Sequence, residues 1–286
     1  MPRLGVLITA FDQGGMIREA VDSVQAQTLV PDRILVVDDG SEDPGSVRVL
    51  DALAARSGVI VVHQPNSGVS AARNRGLAEC ADCRYVTVLD GDDRLAPEFL
   101  ERTVASLDAD PDVLGASSWM RMFGTAHALV APSGGDATAF LARNACPATV
   151  TLRRDAWAAT PGYDEQMRSG FEDWDFFLTL LADGGRIEIV PEPLIEYRTA
   201  PASSNVTSMG RRSELFGRLV DRHSRLYRDH AREALVALDA LSSAHLREWE
   251  LAALDAPGLA LDRASFGDGG MAAVVRVATA RARRER

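Results

Sequence analysis

Asp90, Asp92 and Asp93 stand around one glycine at the end of residues 85–93, Y-V-T-V-L-D-G-D-D. Carboxylates held this close raise one another's pKa, and the cost falls when a cation sits among them. Mg²⁺ or Mn²⁺ suits such a place, because hard divalent ions take oxygen ligands and share them with substrate phosphates. Gly91 lets the backbone come near a ligand. On this stretch alone, a solvated turn after a strand explains the residues as well.

The elements that must position these carboxylates alternate. Residues 4–8, 34–37, 59–62 and the run into Asp90 are short, apolar and β-branched, as strands buried on both faces are. Between them lie helical faces: Ile17, Ala20, Val21 and Val24; then Val49, Leu50 and Leu53; then Ala71, Ala72 and Leu77. Pro97 opens a fourth helix carrying Phe99, Leu100, Val104 and Leu107. Strand–helix alternation over this length implies a mostly parallel, Rossmann-like sheet with helices on both faces, an α/β fold. Ligands bind such sheets beyond the carboxyl ends of the strands. Four polar loops therefore converge on one crevice: residues 9–12, Asp38-Asp39, residues 63–68 and residues 90–93.

The second half reads differently. Strands are expected at 113–118, 119–130, 148–152, 186–190 and 194–198, with a short helix near Phe140 and another beginning near Phe171. From about Met209 the pattern is helical and rich in Arg, Ala and Leu. The expected division is a catalytic domain over 1–205, with halves 1–110 and 111–205, and a C-terminal helical extension over 206–286.

Bulk properties narrow the classes. A net charge of −10 in 286 residues excludes general nucleic-acid binding, which needs a basic surface. No apolar run approaches a membrane span, and the first residues lack a signal peptide's apolar core, so a cytoplasmic protein is expected. Cys80, Cys83 and Cys146 form no disulfide framework. The C-x-x-C pair has no second pair to complete a zinc site and reads as small buried side chains. His63, His127, His223, His230 and His245 lack metal-ligand spacing.

Four segments in this order carry a family resemblance: V-D-D-G-S at 37–41, N-S-G-V-S-A-A-R-N-R-G at 66–76, L-D-G-D-D at 89–93 and G-F-E-D at 170–173. Over roughly residues 4–200 the chain resembles the family 2 nucleotide-sugar glycosyltransferases with the GT-A fold. The resemblance implies that Asp92, last of D-x-D, holds Mn²⁺ or Mg²⁺ on a sugar-nucleotide diphosphate, and that Asp90 contacts the ribose. Asp93 would assist through water or by orienting its neighbours. It implies that Asp39 reads a pyrimidine imide, and that Thr9 and Phe11 contact the base, Phe11 by stacking. Capping of a helix start is the alternative for Asp38-Asp39. Asp12 stands where the family often has Asn.

Asn66, Gly68 and Arg73 place a close-approach glycine at a helix start and a cation inside it, which suits phosphate; ordinary capping and a surface arginine are the alternative. In the E-D pair, Asp173 matches the catalytic base and Glu172 the residue that orients the acceptor or Asp173, against the alternative of an acidic first helical turn. Trp174 reads as core, or as a surface for sugar stacking. The family often has a histidine after a Tyr-Arg strand end. Here Tyr197-Arg198 leads into T-A-P-A-S-S, which has the look of a mobile lid. Arg198 is left as a diphosphate contact, with the cation held by Asp92, diphosphate oxygens and water.

The expected function is inverting transfer of a sugar from a UDP- or dTDP-sugar to an acceptor hydroxyl on a glycan, lipid-linked glycan or small natural product. The alternative is a non-catalytic nucleotide-sugar-binding or scaffold protein. Two readings stand for the basic C-terminus, residues 276–286: a solvated tail, and peripheral contact with an anionic membrane at the inner face. Two also stand for the helices bearing Leu215, Leu219, Leu226, Leu235, Leu238 and Leu241: covering the core, or pairing subunits in a homo-oligomer.

Overall fold

The computed structural model describes residues 3–200, 204–256, 258–261 and 270–284. β1 (Leu4–Ala10) is an interior strand of the sheet and is buried along its whole length. β2 (Arg33–Asp38) and β4 (Tyr85–Asp90) flank it in parallel, and β3 (Val59–His63) extends β2. The intervening helices are α1 (Met16–Gln25), α2 (Pro44–Ala54) and α3 (Val69–Glu79). Each lays an apolar stripe on the sheet: Ile17, Ala20, Val21 and Val24 of α1 are buried, as are Leu50 and Leu53 of α2. α2 starts where Asp43 accepts the N–H of Ser46 at 2.7 Å, with Pro44 in its first turn.

The sheet continues through β5 (Arg94–Leu95), β6 (Val113–Gly124), β7 (Leu129–Val130), β8 (Val150–Arg153) and β9 (Arg186–Thr199). Its order is β3-β2-β1-β4-β8-β6-β9-β5, with β7 on β6. The four strands up to β4 are parallel; beyond them β8 is antiparallel to β4 and β6, while β6 and β9 run parallel. α4 (Phe99–Ala109) buries Phe99, Leu100 and Leu107.

Two pairs of expected strands are single strands. Residues 113–124 form one, and β7 is a short partner that folds back on it. Residues 186–199 also form one, despite Pro191 and Pro193. The pairing with β6 jumps from Ser118↔Val190 to Trp119↔Pro193, a bulge that absorbs residues unable to donate to the ladder. The expected helix near Phe140 is a 3-10 turn, Ala137–Phe140. α5 (Arg154–Ala158) follows β8, and α6 (Glu172–Leu180) begins one residue after Phe171.

Contacts divide the chain into Met1–Leu226 and Tyr227–Arg286. α7 (Ser204–Met209) and α8 (Arg212–Arg222) therefore fall in the first unit, where Leu215 and Leu219 are buried, although the extension is expected from residue 206. α9 (Ser224–Asp229) crosses the division. In the second unit α10 (Ala231–Asp255) pairs with α11 (Gly270–Arg284): Arg276 meets Glu250, and Arg281 donates to the carbonyls of Ala253, Ala256 and Leu259. Leu235 and Leu238 are exposed. Of the expected lid, residues 201–203 lie outside the described residues, as do residues 285–286 of the basic tail. Among the described residues no helix is long and apolar enough to cross a membrane.

Gly76 shows how tightly α3 seats on β1. A Cβ there would lie 2.1 Å from Cδ1 of the fully buried Leu7. Gly76→Ala is expected to destabilise the fold by about 1–3 kcal/mol, the usual range for overpacking, read as a lower denaturant midpoint. A midpoint equal to the parent's would mean that α3 can shift without cost.

Candidate active site

The carboxyl ends of β1 and β4 bring the first expected residues together. Thr9 donates its hydroxyl to Asp90 Oδ1 at 3.3 Å, and the Gly91 N–H bonds the Thr9 carbonyl at 3.0 Å. Glycine is required at 91 by the protein itself: a Cβ would lie 2.2 Å from Gln13 Oε1 and 2.5 Å from the Thr9 carbonyl. The packing of the chain thus gives Gly91 a reason of its own, beside the expected close approach of a ligand.

Asp93 is buried and accepts the Arg198 N–H at 2.7 Å. Burial, then the neighbouring Asp92 and Asp90, hold its carboxyl well above the ordinary range. Asp93 thus anchors the end of β9 to the acidic turn. Arg198 lies at the site as expected, but two of its donors are committed: Nε to the Asp92 carbonyl at 2.8 Å and Nη2 to Glu19 at 2.7 Å. Its guanidinium also lies 4.5 Å from the Phe123 ring centroid. It braces the acidic turn before it touches any ligand.

Asp92 differs from its neighbours. Burial first and Asp90 second push its carboxyl up to about 6. Asp90, by contrast, is engaged by Thr9 and Arg73. A half-buried carboxylate destabilised by its surroundings is a donor that fits a hard cation. Among the described residues no group of three or more His, Cys, Asp or Glu converges on one point. Any ion at Asp92 would have to draw its remaining ligands from substrate oxygens and water.

Asp38 and Asp39 are both buried, and both are engaged by the chain. Asp38 accepts from the Ser41 N–H and hydroxyl at 3.0 and 2.6 Å and pairs with His63 Nδ1 at 2.8 Å. Asp39 accepts from Gln64 Nε2 at 2.8 Å, the Ser67 N–H at 2.9 Å and the Gly68 N–H at 2.8 Å. Asp39 therefore organises the loop into α3, and three of its four lone-pair sites are filled. Gly68 takes φ +94°, which favours glycine, and Asn66 is exposed. Asp12, at φ +48°, ties the β1 loop to the β2 loop by accepting the Glu42 and Asp43 N–H groups at 2.9 and 2.8 Å. Phe11 projects 47% exposed from the end of β1, an open ring.

Arg73 departs most from expectation. It is 2% exposed, too deep in the protein to act as an open phosphate contact. Nη2 donates to Asp90 at 2.8 Å and Nη1 to Glu172 at 2.9 Å, and the guanidinium lies 5.4 Å from the Tyr163 ring centroid. One cation thereby joins the D-x-D turn to the E-D helix, 82 residues further along the chain from Asp90 to Glu172. The next residue completes the join: Asn74 donates Nδ2 to the Tyr163 carbonyl at 2.8 Å and accepts the Tyr163 N–H at 2.8 Å. Tyr163 also stacks on Phe176 of α6, ring centroids 4.1 Å apart.

Asp173 follows Glu172 in the first turn of α6. Its Oδ2 accepts from Asn144 Nδ2 at 2.9 Å. Burial, then Glu172, push its carboxyl up to about 7, with Arg73 opposing. Phe171 before the pair has φ +67°, a strained conformation for an aromatic residue, between Gly170 and α6. Trp174 is core, 1% exposed, with Nε1 on the Phe140 carbonyl at 2.7 Å. Cys80 and Cys83 are free and buried. Tyr163, Asn74 and Asn144 take roles here that no reading of the sequence assigns them. Asn74 stands inside a recognised segment, whereas the R-N-A-C-P context of Asn144 carries no signal.

Residues 5–127 match the model of Glycosyl transferase family 2. Among similar proteins, the succinoglycan biosynthesis protein ExoW of Rhizobium meliloti is 36% identical over 139 residues, 44% of this chain and 42% of that one. An uncharacterized glycosyltransferase of Haemophilus influenzae is 27% identical over 191 residues, 64% of this chain and 70% of that one. S. aureus TarS, solved in complex with UDP-GlcNAc, superposes with a TM-score of 0.59 at 17% identity, covering 71% of this chain and 60% of that one. The chain thus spans less than half the length of ExoW. At this identity the structural likeness speaks for the fold, which is GT-A with a helical C-terminal portion.

Proposed function

We propose, for a chain whose residues 5–127 match the model of Glycosyl transferase family 2, inverting transfer of a sugar from a UDP- or dTDP-sugar to an acceptor hydroxyl. The observation that carries this reading is Arg73, whose single buried guanidinium spans Asp90 and Glu172 and so sets the donor turn against the E-D helix. Asp90 faces the ribose, and Phe11 offers its open ring to the base. Asp92 is the residue that would hold Mn²⁺ or Mg²⁺. A bound ion would neutralise charge growing on the departing diphosphate. Asp173 takes the acceptor's proton as the hydroxyl oxygen attacks the anomeric carbon from the opposite face, and inversion follows from that single displacement. The acceptor is a hydroxyl on a glycan, a lipid-linked glycan or a small natural product. A UDP-sugar donor is supported by the UDP-GlcNAc bound to TarS, and a glycan acceptor by the naming of ExoW for succinoglycan biosynthesis.

The test is thermal stabilisation of the full chain by UDP, dTDP, GDP and CDP, each with and without Mn²⁺. A ligand that binds only the folded state adds about 2.7 kcal/mol at a hundredfold its Kd. Stabilisation by UDP or dTDP that grows with Mn²⁺ is expected. No shift with any nucleotide would sink the donor reading, and equal shifts with and without Mn²⁺ would remove the cation from it.

A further inference from the structure

Among the described residues, Asp173 receives one hydrogen bond from a side chain, and that side chain is itself held from behind. Asn144 donates Nδ2 to Asp173 Oδ2 at 2.9 Å, while its own Oδ1 accepts the Cys146 N–H at 3.3 Å. This second bond fixes the amide: with its oxygen turned to Cys146, its NH₂ must face the carboxylate. The loop that carries Asn144 is tied to the same helix by Trp174 Nε1 on the Phe140 carbonyl. The other oxygen, Oδ1, accepts the Trp174 N–H at 2.8 Å.

We propose that Asn144 is a positioning residue for transfer, holding the Asp173 carboxylate by one oxygen so that its remaining lone pairs meet the acceptor's proton. The inference rests on the reading of Asp173 as the base. A neutral N–H suits this role, because it favours the charged carboxylate without cancelling its charge as a second arginine would. The charged and titratable groups around Asp173 are Glu172 of its own helix, Arg73 of α3, Asp90 at the end of β4, Tyr163 from the loop before α6, and the Cys146 thiol. Arg73 is the cation among them, and both its terminal nitrogens already serve Asp90 and Glu172.

The experiment follows the Asp173 carboxyl by carbon NMR in the full chain, with the resonance assigned by its loss in Asp173→Asn. Asn144→Ala removes the donor and is expected to raise the Asp173 midpoint by about one pH unit. Asn144→Asp keeps the volume, sets a second carboxylate against the first and is expected to raise it further; it also serves if the alanine variant does not fold. In turnover of a UDP-sugar, the acid limb should move with the midpoint, costing Asn144→Ala about fivefold at pH 7 and little at pH 9. A purely structural role would lower the rate equally at both pH values. A midpoint unmoved in both variants overturns the positioning role while leaving the base reading intact. Transfer that survives Asp173→Asn overturns the base reading, and this inference with it.

Discussion

Asp173→Asn should lower kcat for sugar transfer by about 10²–10⁴-fold, the contribution of a positioned general base, with nucleotide stabilisation unchanged. The substitution is nearly isosteric: its amide oxygen, in the place of Oδ1, still accepts the Trp174 N–H, while the NH₂ in the place of Oδ2 gives up the bond from Asn144, so the backbone of the first turn of α6 should keep its shape. What it loses is the ability to take a proton. The donor turn, with Asp90 and Asp92, is untouched. The same carboxyl dictates the pH dependence. Burial and Glu172 raise it to about 7, and a base acts only when ionised. The rate should therefore climb through pH 7 and level above it, with the acid limb absent in the variant. Single-turnover transfer across pH 5.5–9 checks both. A variant within tenfold of the parent would move the proton to another acceptor.

The fold can be read from the first half of the chain because its signals are local. Each short β-branched run meets a helical face of proper spacing, and β1 to β4 form as those patterns require. The second half is harder, because long strands such as β9 hide behind prolines that only a bulge in the partner's pairing accommodates. The site divides in the same way. Which residues gather can be read from motif order: Thr9, Asp90, Arg73, Glu172, Asp173 and Arg198 do lie in one connected set of hydrogen bonds and neighbouring residues. What each does there depends on burial, which sequence does not carry. Arg73 and Asp39 have the types that a phosphate and a base would want, yet both spend their hydrogen bonds inside the chain. Asn144 gives no warning at all, since a single asparagine in a loop acquires meaning only from what the fold sets opposite it.

Arg73→Met should be the most destabilising single change in the site, by about 3–5 kcal/mol, because it leaves a buried ion network without its cation. Asp90 and Glu172 would then face the same space with no positive charge between them, and the Tyr163 ring would lose the guanidinium beside it. Arg73→Lys separates charge from geometry. An ammonium keeps the positive charge but lacks the planar fork that reaches two carboxylates at 2.8 and 2.9 Å, so an intermediate loss is expected. Glu172→Gln in the Arg73→Met background should recover part of the stability, since it removes one of the stranded charges; the coupling between the two positions is read by a double-mutant cycle in denaturant. A loss under about 1 kcal/mol in Arg73→Met would mean that water reaches these carboxylates and that the network is ornamental to folding. The larger loss carries a functional consequence. A cation that both halves of the site need in order to fold makes the distance between the D-x-D turn and Asp173 a property of the folded core, fixed before any ligand arrives.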